Sequence, residues 1–303
     1  EELAGFADGL KTRPENLVYY AMTWLHPGCS HISLLPSMTK DGRPKVARNY
    51  EFNDAFEDFN VIKTSIQGAY THIGTSVLGL GRDDGFNEMG LAVTMSSTSF
   101  PVGVDENMRR PAVTGLQFWA VIRTLLDTCR DVKDMPIAFN MNLILTDKAG
   151  NAALYETLDG RKAFRTIDPS SDAQYLYATN HPLLEELIPH EPRAMENSLK
   201  RIRNIEAFLE QHGKGLGTED LKQFLLTPYP AGLSCPYYDD FFGTTKSMVI
   251  DPAAGTMELC WGGQETNGWQ HYSLDGDFTE GVRAMDLCSQ PAPPSLFQLT
   301  DIE

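Results

Sequence analysis

The chain has 303 residues, 42% hydrophobic and 22% charged, with a net charge of −16 at pH 7. That is the composition of a globular chain able to bury a large core, in one large domain or two. The charge argues against a binder of nucleic-acid backbones, which works by cationic neutralisation, and against docking on an anionic membrane surface. No apolar run approaches the roughly 20 residues needed to span a bilayer. The five cysteines, at 29, 129, 235, 260 and 288, include no close pair, so they form neither a disulfide framework nor a C-x-x-C zinc site. With no H-x-x-x-H or H-E-x-x-H spacing and no Gly-rich phosphate loop, the sequence calls for neither a metal nor a cofactor. The chain opens on Glu1 rather than methionine, and the expectation is a missing upstream piece: a signal peptide, part of a propeptide or a tag. The compartment is left undecided.

In chain order, the first predicted element is a helix over 14–26. Pro14 suits its first turn, and Leu17, Tyr20, Ala21, Trp24 and Leu25 recur at helical spacing before His26-Pro27-Gly28 breaks it. Gly28-Cys29-Ser30 then leads an apolar run (Ile32, Leu34, Leu35), a turn at Asp41-Gly42 and a second run ending in Arg48-Asn49, which together read as a β-hairpin. Its arms fall near 30–36 and 45–50, and strand-like runs follow at 71–79 and 91–97. A second helix is expected over 115–129, with Leu116, Trp119, Ala120, Ile122, Leu125 and Leu126 toward a core. Strands are expected at 140–146, 152–157, 162–167 and 174–179, parted by turns at Asp147–Asn151 and Asp159-Gly160. A long helix over 192–211 and a shorter one over 218–226, capped by Thr218, precede strands near 245–250, 256–261 and 268–273. The proline-rich tail from Ser289 to Pro294 is expected to be irregular. Hairpins at both ends with helices between them predict a layered α+β domain.

Five motifs carry the chemistry. Gly28-Cys29, with Arg48-Asn49-Tyr50-Glu51 on the returning arm, brings a thiol, a guanidinium and a carboxylate together. Asp84-Gly85-Phe86-Asn87-Glu88-Met89-Gly90-Leu91 follows. Next come Ile144-Leu145-Thr146-Asp147 with Gly150-Asn151 and Glu156, then Ala178-Thr179-Asn180-His181, and last Thr245-Lys246-Ser247-Met248-Val249-Ile250-Asp251. In this order, from about Glu2 to about Trp261, they resemble the acyl-coenzyme A:6-aminopenicillanic acid acyltransferase group of N-terminal-nucleophile cysteine hydrolases. That group is a sister of the choloylglycine hydrolases and penicillin V acylases.

The resemblance implies an αββα four-layer sandwich, two stacked antiparallel sheets between helical layers. It implies an autocatalytic cut at Gly28–Cys29, separating a light segment (1–28) from a single catalytic domain (29–303), the pieces staying associated. The activity it implies is cleavage of a linear, non-peptide amide C–N bond, or transfer of the acyl group, through a thioester on Cys29. Its substrate is a small-molecule amide, and the residues do not choose among penicillins, N-acyl amino acids, bile-acid and fatty-acid amides and β-alanyl amines. A homo-oligomer is left open.

An unperturbed thiol near pKa 8.5 is only a few per cent ionised at neutral pH, so Cys29 needs a base or a positive neighbour. His31 shares its strand face too rigidly to be a convincing base. In the family, the α-amine freed by the cut, with a pKa of about 7.7–8.0, takes the thiol proton, which an amide cannot do. Gly28 suits the cut because it lacks a Cβ. The resemblance also implies that Arg48 lies against the nucleophile and that Asn180 donates to the oxyanion. Arg201, on the long helix, resembles a family arginine near the active site, beside the plainer reading of a solvated helix arginine. Glu51 stands where the family more often has an aspartate holding the α-ammonium group, one bond of about 1.5 Å shorter. The bile-salt branch has a further oxyanion asparagine where this chain reads Thr94-Met95-Ser96-Ser97, leaving a backbone N–H or Ser97 as substitute. Trp24, Tyr50, Met95, Ser97, Tyr238 and Phe241 are the candidates for a substrate pocket.

Plainer readings stand beside these. A free cysteine is usually a buried small hydrophobe. Arg48 and Glu51 make an ordinary strand-end ion pair worth about 0–1 kcal/mol, and Asn180 a turn residue before Pro182. The rival functions are a papain-like protease, whose C-G-[SA]-C-[WY] surround is missing, and a degenerate, uncut relative that only binds a ligand.

Overall fold

Both arms of the first hairpin are buried along their whole length, because each face of the sheet they start is covered by another layer. The computed structural model describes residues 2–16, 28–98, 115–129, 140–278, 281 and 283–302. A short helix, α1 (Glu2–Gly9), precedes the hairpin of β1 (Gly28–Leu34) and β2 (Lys45–Phe52). The chain then lays down a second sheet of β3 (Val61–Thr64), β4 (His72–Val77), β5 (Gly81–Asn87), β6 (Leu91–Ser97), β7 (Met141–Asp147), β8 (Ala152–Leu158) and β9 (Arg161–Ile167). They pair in sequence order, each antiparallel to the next, with α2 (Phe118–Thr128) between β6 and β7.

The chain returns to the first sheet with β10 (Tyr175–Ala178), then makes β11 (Arg193–Met195), α3 (Glu196–His212) and α4 (Thr218–Leu226). It continues as β12 (Pro236–Tyr237), β13 (Phe242–Asp251), β14 (Thr256–Trp261), β15 (Gln270–Ser273) and β16 (Leu299–Asp301). The first sheet runs in the order β10-β1-β2-β13-β14-β15, with β12 also on β13, and β11 pairs with β16 apart from both sheets.

Side chains along a strand alternate between faces, and here they sort into three apolar layers. Ile32, Leu34, Ala47 and Val249 face outward onto Ile205, Phe208 and Leu209 of α3 and Leu221, Phe224 and Leu225 of α4, where the rings of Phe208 and Phe224 stack 4.0 Å apart. Between the sheets, Val46, Met248 and Ile250 meet Ile73, Phe86 and Ala92, while Leu35 and Leu176 meet Ile144 and Leu154. On the far face of the second sheet, Val93, Leu143 and Leu145 pack on Phe118, Val121, Ile122 and Leu125 of α2. Each Val, Leu, Ile, Met or Phe among them stabilises the fold by about 1.5–3 kcal/mol on burial. The layer order is helix, sheet, sheet, helix, as the α+β reading expects.

Several boundaries differ from expectation. The predicted helix over 192–211 starts only at Glu196; Arg193–Met195 instead pair with Leu299–Asp301, a partner about a hundred residues downstream. Gly217, not Thr218, caps α4, because the chain enters one residue earlier and Asp220 accepts from the Gly217 N–H at 2.8 Å. Of the helix predicted over 14–26, residues 14–16 are helical and 17–27 lie outside the described residues. β5 was not expected as a strand, since Gly and Asp are poor strand formers. It forms because Gly74 and Gly85 let β4 and β5 close: a Cβ on either would fall 2.5 Å from a backbone oxygen of the other strand.

Candidate active site

The β1–β2 register sets Gly28 opposite Glu51, Cys29 opposite Tyr50 and His31 opposite Arg48. Cys29, His31 and Ser33 therefore face the second sheet, while Ser30, Ile32 and Leu34 face the helices. On the inter-sheet side, Arg48 Nη2 donates to Cys29 Sγ at 3.3 Å. Its Nε donates to both oxygens of Asp84, at 3.0 and 3.1 Å, and its Nη1 to the Asn49 carbonyl. Asp84 Oδ1 also accepts from the Met95 N–H at 3.0 Å, so the guanidinium plane is fixed with one donor aimed at sulfur.

On the helix side, Arg201 of α3 points its Nη1 at the Cys29 carbonyl, at Ser30 Oγ (2.9 Å) and at Glu51 Oε2 (3.4 Å). Its Nη2 donates to Asn180 Oδ1 at 2.8 Å and to Asn197 Oδ1 at 2.7 Å. Asn180 Oδ1 accepts as well from the backbone N–H of Cys29 at 2.8 Å, and its Nδ2 donates to the Ser97 carbonyl at 2.8 Å. Thr244 Oγ1 donates to Glu51 Oε1 at 3.0 Å. Asn197 Nδ2 donates to the carbonyl of Leu296, at 2.6 Å. Gly28 has no room for a side chain: a Cβ would lie 2.5 Å from the Phe242 ring and 2.6 Å from Glu51 Cβ. Phe242 in turn meets Phe297 edge-on, ring centroids 5.4 Å apart.

Residues 37–266 match the family described as Acyl-coenzyme A:6-aminopenicillanic acid acyl-transferase. The chain belongs to that family. The matched stretch takes in Arg48, Glu51, Asp84, Asn180 and Arg201 and begins after Cys29. No curated protein matches the chain. Among solved structures it is similar to two variants of the conjugated bile acid hydrolase from Clostridium perfringens, with TM-scores of 0.54 and 0.55 at 13% identity, covering 87% of this chain and 99% of theirs. It is similar also to an N-acylethanolamine-hydrolyzing acid amidase ortholog from Caenorhabditis elegans, with a TM-score of 0.51 at 12% identity over 74% of this chain and 93% of that one. These likenesses are of fold, and the fold is that of the N-terminal-nucleophile hydrolases.

In this acyl-transferase family member the Cys29 thiol is buried, and burial pushes its pKa up; the charge and hydrogen bond of Arg48 pull it down, while Glu51 and Asp84 oppose that pull. Burial raises Glu51 too, against Arg201 and Arg48. Asp84 is pushed up to about 7, by burial first and with the neighbouring Asp83 adding to it, despite Arg48. Arg48 stays firmly protonated between Asp84 and the sulfur. His31 is held well below its usual range by burial and by Arg48, and it bonds Thr94 Oγ1 at 2.9 Å and Ser96 Oγ at 3.3 Å. A neutral imidazole engaged in that way is no base for Cys29.

The structure thus gathers Cys29, Arg48, Glu51, Asn180 and Arg201 around one backbone position. Of the pocket candidates, Tyr50 and Met95 share an apolar cluster with Cys29, and Ser97 joins through its carbonyl. Tyr238 donates its hydroxyl to the carbonyls of Thr244 and Gly262, and Phe241 stands exposed at φ 58°. Trp24 lies outside the described residues. Asp84, Asn197 and Thr244 were not singled out from sequence. Asp84 sits in a motif used only for recognition, and its role is hidden by an irregularity in β5. No described helix is long and apolar enough to cross a membrane, and among the described residues no group of three or more His, Cys, Asp or Glu is placed to hold a metal ion.

Proposed function

We propose that this protein is a self-cleaving cysteine hydrolase of linear, non-peptide amides, or an acyl transferase using the same thioester, with Cys29 as nucleophile. One observation carries the reading. Three atoms of Cys29 are each held by a separate buried side chain: sulfur by Arg48, the backbone nitrogen by Asn180 and the carbonyl by Arg201. A structural cysteine in a core needs none of these.

In the intact chain the thiol attacks the Gly28 carbonyl carbon, the Gly28–Cys29 C–N bond breaks, and the thiol proton ends on the leaving nitrogen. Water then opens the thioester, giving a Gly28 carboxylate, the Cys29 thiol and a free α-amine. Phe242 and Glu51 pack closely against Gly28 and confine the carbonyl under attack. In the cut enzyme the α-amine takes the thiol proton and later returns it to the leaving amine of the substrate. Arg48 stabilises the thiolate, Glu51 faces the ammonium group, and the Asn180 side chain supplies an N–H to the oxyanion. Tyr50 and Met95 offer apolar surface to the acyl group.

Intact mass spectrometry of wild type beside Cys29→Ala tests this. The expected result is two wild-type pieces, 1–28 and 29–303, and an uncut variant without turnover. A wild type that stays whole and yet hydrolyses amides would remove the mechanism. A wild type that stays whole and inert, binding an amide without acyl transfer to Cys29, would leave the ligand-binding reading.

A further inference from the structure

A row of polar side chains in the second sheet converges on one turn. Ser96 of β6 stands opposite Asn142 of β7, and Asn142 opposite Glu156 of β8, so the three share the face turned toward the first sheet. All three are wholly buried. Their neighbours on that face, Ala92, Ile144 and Leu154, are apolar, as a sheet interior favours. The polar three instead reach the stretch after β10 that carries Asn180. Ser96 Oγ donates to the Thr179 carbonyl. Asn142 Nδ2 donates to the carbonyls of Thr179 and His181, both at 3.1 Å, and its Oδ1 accepts from Thr98 Oγ1 at 2.7 Å. Glu156 accepts the Leu183 N–H on one carboxylate oxygen, at 2.9 Å, and the Leu184 N–H on the other, at 3.0 Å.

Asn142 therefore brackets Asn180, holding the carbonyl of the residue on each side of it. From the other layer, Ser198 Oγ of α3 accepts the Asn180 N–H at 2.8 Å and bonds Thr179 Oγ1 at 2.9 Å and His181 Nδ1 at 2.8 Å. So fixed, the turn sends Asn180 Nδ2 to the Ser97 carbonyl and Oδ1 to the Cys29 N–H. Buried polar groups contribute little net stability over apolar ones of the same shape, because each must first give up its water. What they supply here is direction: an apolar side chain fills the space but cannot fix which way a peptide carbonyl points.

We propose that Ser96, Asn142 and Glu156 are positioning residues, with Asn142 at their centre, and that they fix the turn so that the Asn180 amide meets the oxyanion formed at Cys29. The inference rests on the oxyanion role given to Asn180 above and adds the residues that aim it. They act through Asn180 and not on the reacting atoms. Glu156, which closes the third sequence motif, thereby gains a task in the site. A misplacement of about 1 Å in a catalytic group can cost about a hundredfold in rate, so the row should act on kcat and little on KM.

The test is a double-mutant cycle in kcat between Asn142→Ala and Asn180→Ala, with a thermal melt of each protein. Glu156→Gln, which keeps its size and one acceptor oxygen, takes the place of Asn142→Ala should that variant fail to fold. Asn142→Ala alone should lower kcat by about 10–10²-fold with KM little changed. In the Asn180→Ala background it should cost less than about twofold more, while its lowering of Tm is the same in both. Equal rate losses in the two backgrounds overturn the positioning role and leave a structural one. An Asn180→Ala variant that turns over as wild type takes Asn180 off the oxyanion, and the row's task falls with it, by a result distinct from an additive cycle. A wild type without turnover defeats the proposed function, and amide hydrogen exchange in uncut Cys29→Ala then decides. Asn180 Oδ1 holds the N–H of residue 29, so adding Asn142→Ala should speed exchange there and not at Ile32. Unchanged exchange at residue 29 overturns the inference.

Discussion

The two faces of the β1–β2 hairpin hold Cys29 by different means. On the inter-sheet face, strands alone build the support: Arg48 from β2, Asp84 from β5 and the Met95 amide from β6 converge on the sulfur. On the helix face, Arg201 and Asn197 come from α3 and Asn180 from the turn after β10, and they grip the backbone nitrogen and carbonyl. On the function proposed above, one face governs the ionisation of the Cys29 thiol, and the other the geometry of its backbone. A sheet interior suits the first task because a guanidinium held by two carboxylate bonds cannot wander.

Substitutions can break that division, beginning with the largest effect. Cys29→Ser should lose most turnover, because an amine base of this strength readily makes a thiolate and scarcely an alkoxide; turnover near wild type would place the nucleophile elsewhere. Asn180→Ala should lower kcat/KM by about 10²–10³, or roughly 2.7–4 kcal/mol, with the rate of thiol alkylation against pH unchanged, since it acts on the helix face. Arg48→Lys keeps the charge and loses the planar fork, so alkylation should require a higher pH and both cutting and turnover should fall. If Arg48→Lys and Asn180→Ala alter the alkylation profile alike, the two faces are not separate. Glu51→Gln should be the mildest in rate and should move the limb of the pH–rate profile set by the α-amine. Thermal melts beside each set of kinetics keep misfolding apart from chemistry.

Much of this was legible in the sequence, for physical reasons. A short hairpin fixes its own register, so a cysteine on one arm and Arg48 and Glu51 on the other had to meet. The helical repeats behind α2, α3 and α4 follow from one-sided burial. What escaped was set by distant partners. Arg193–Met195 form a strand only because Leu299–Asp301 arrive beside them, and Asp84 reaches Arg48 from a strand poor in strand formers. In β5 the register with β4 slips between Thr75–Asp84 and Ser76–Arg82, which defeats the simple alternation by which a reader assigns faces. That slip sends both adjacent carboxylates to the first sheet, Asp83 to Lys246 and Asp84 to Arg48. Asn197 looks like any polar residue in a helix's first turn until Leu296 is set against it.

That last contact has a consequence in time. Asn197 divides its amide between the Leu296 carbonyl and Arg201, and Arg201 holds the carbonyl of Cys29. The hold on the Cys29 carbonyl therefore depends on contacts 99 and 172 residues apart in the chain, and contacts of such sequence separation are slow to form. On the cleavage reading, a chain still folding has its thiol but lacks the Arg201 grip on Cys29, so self-cleavage would be a timer that starts only when that tertiary closure is made.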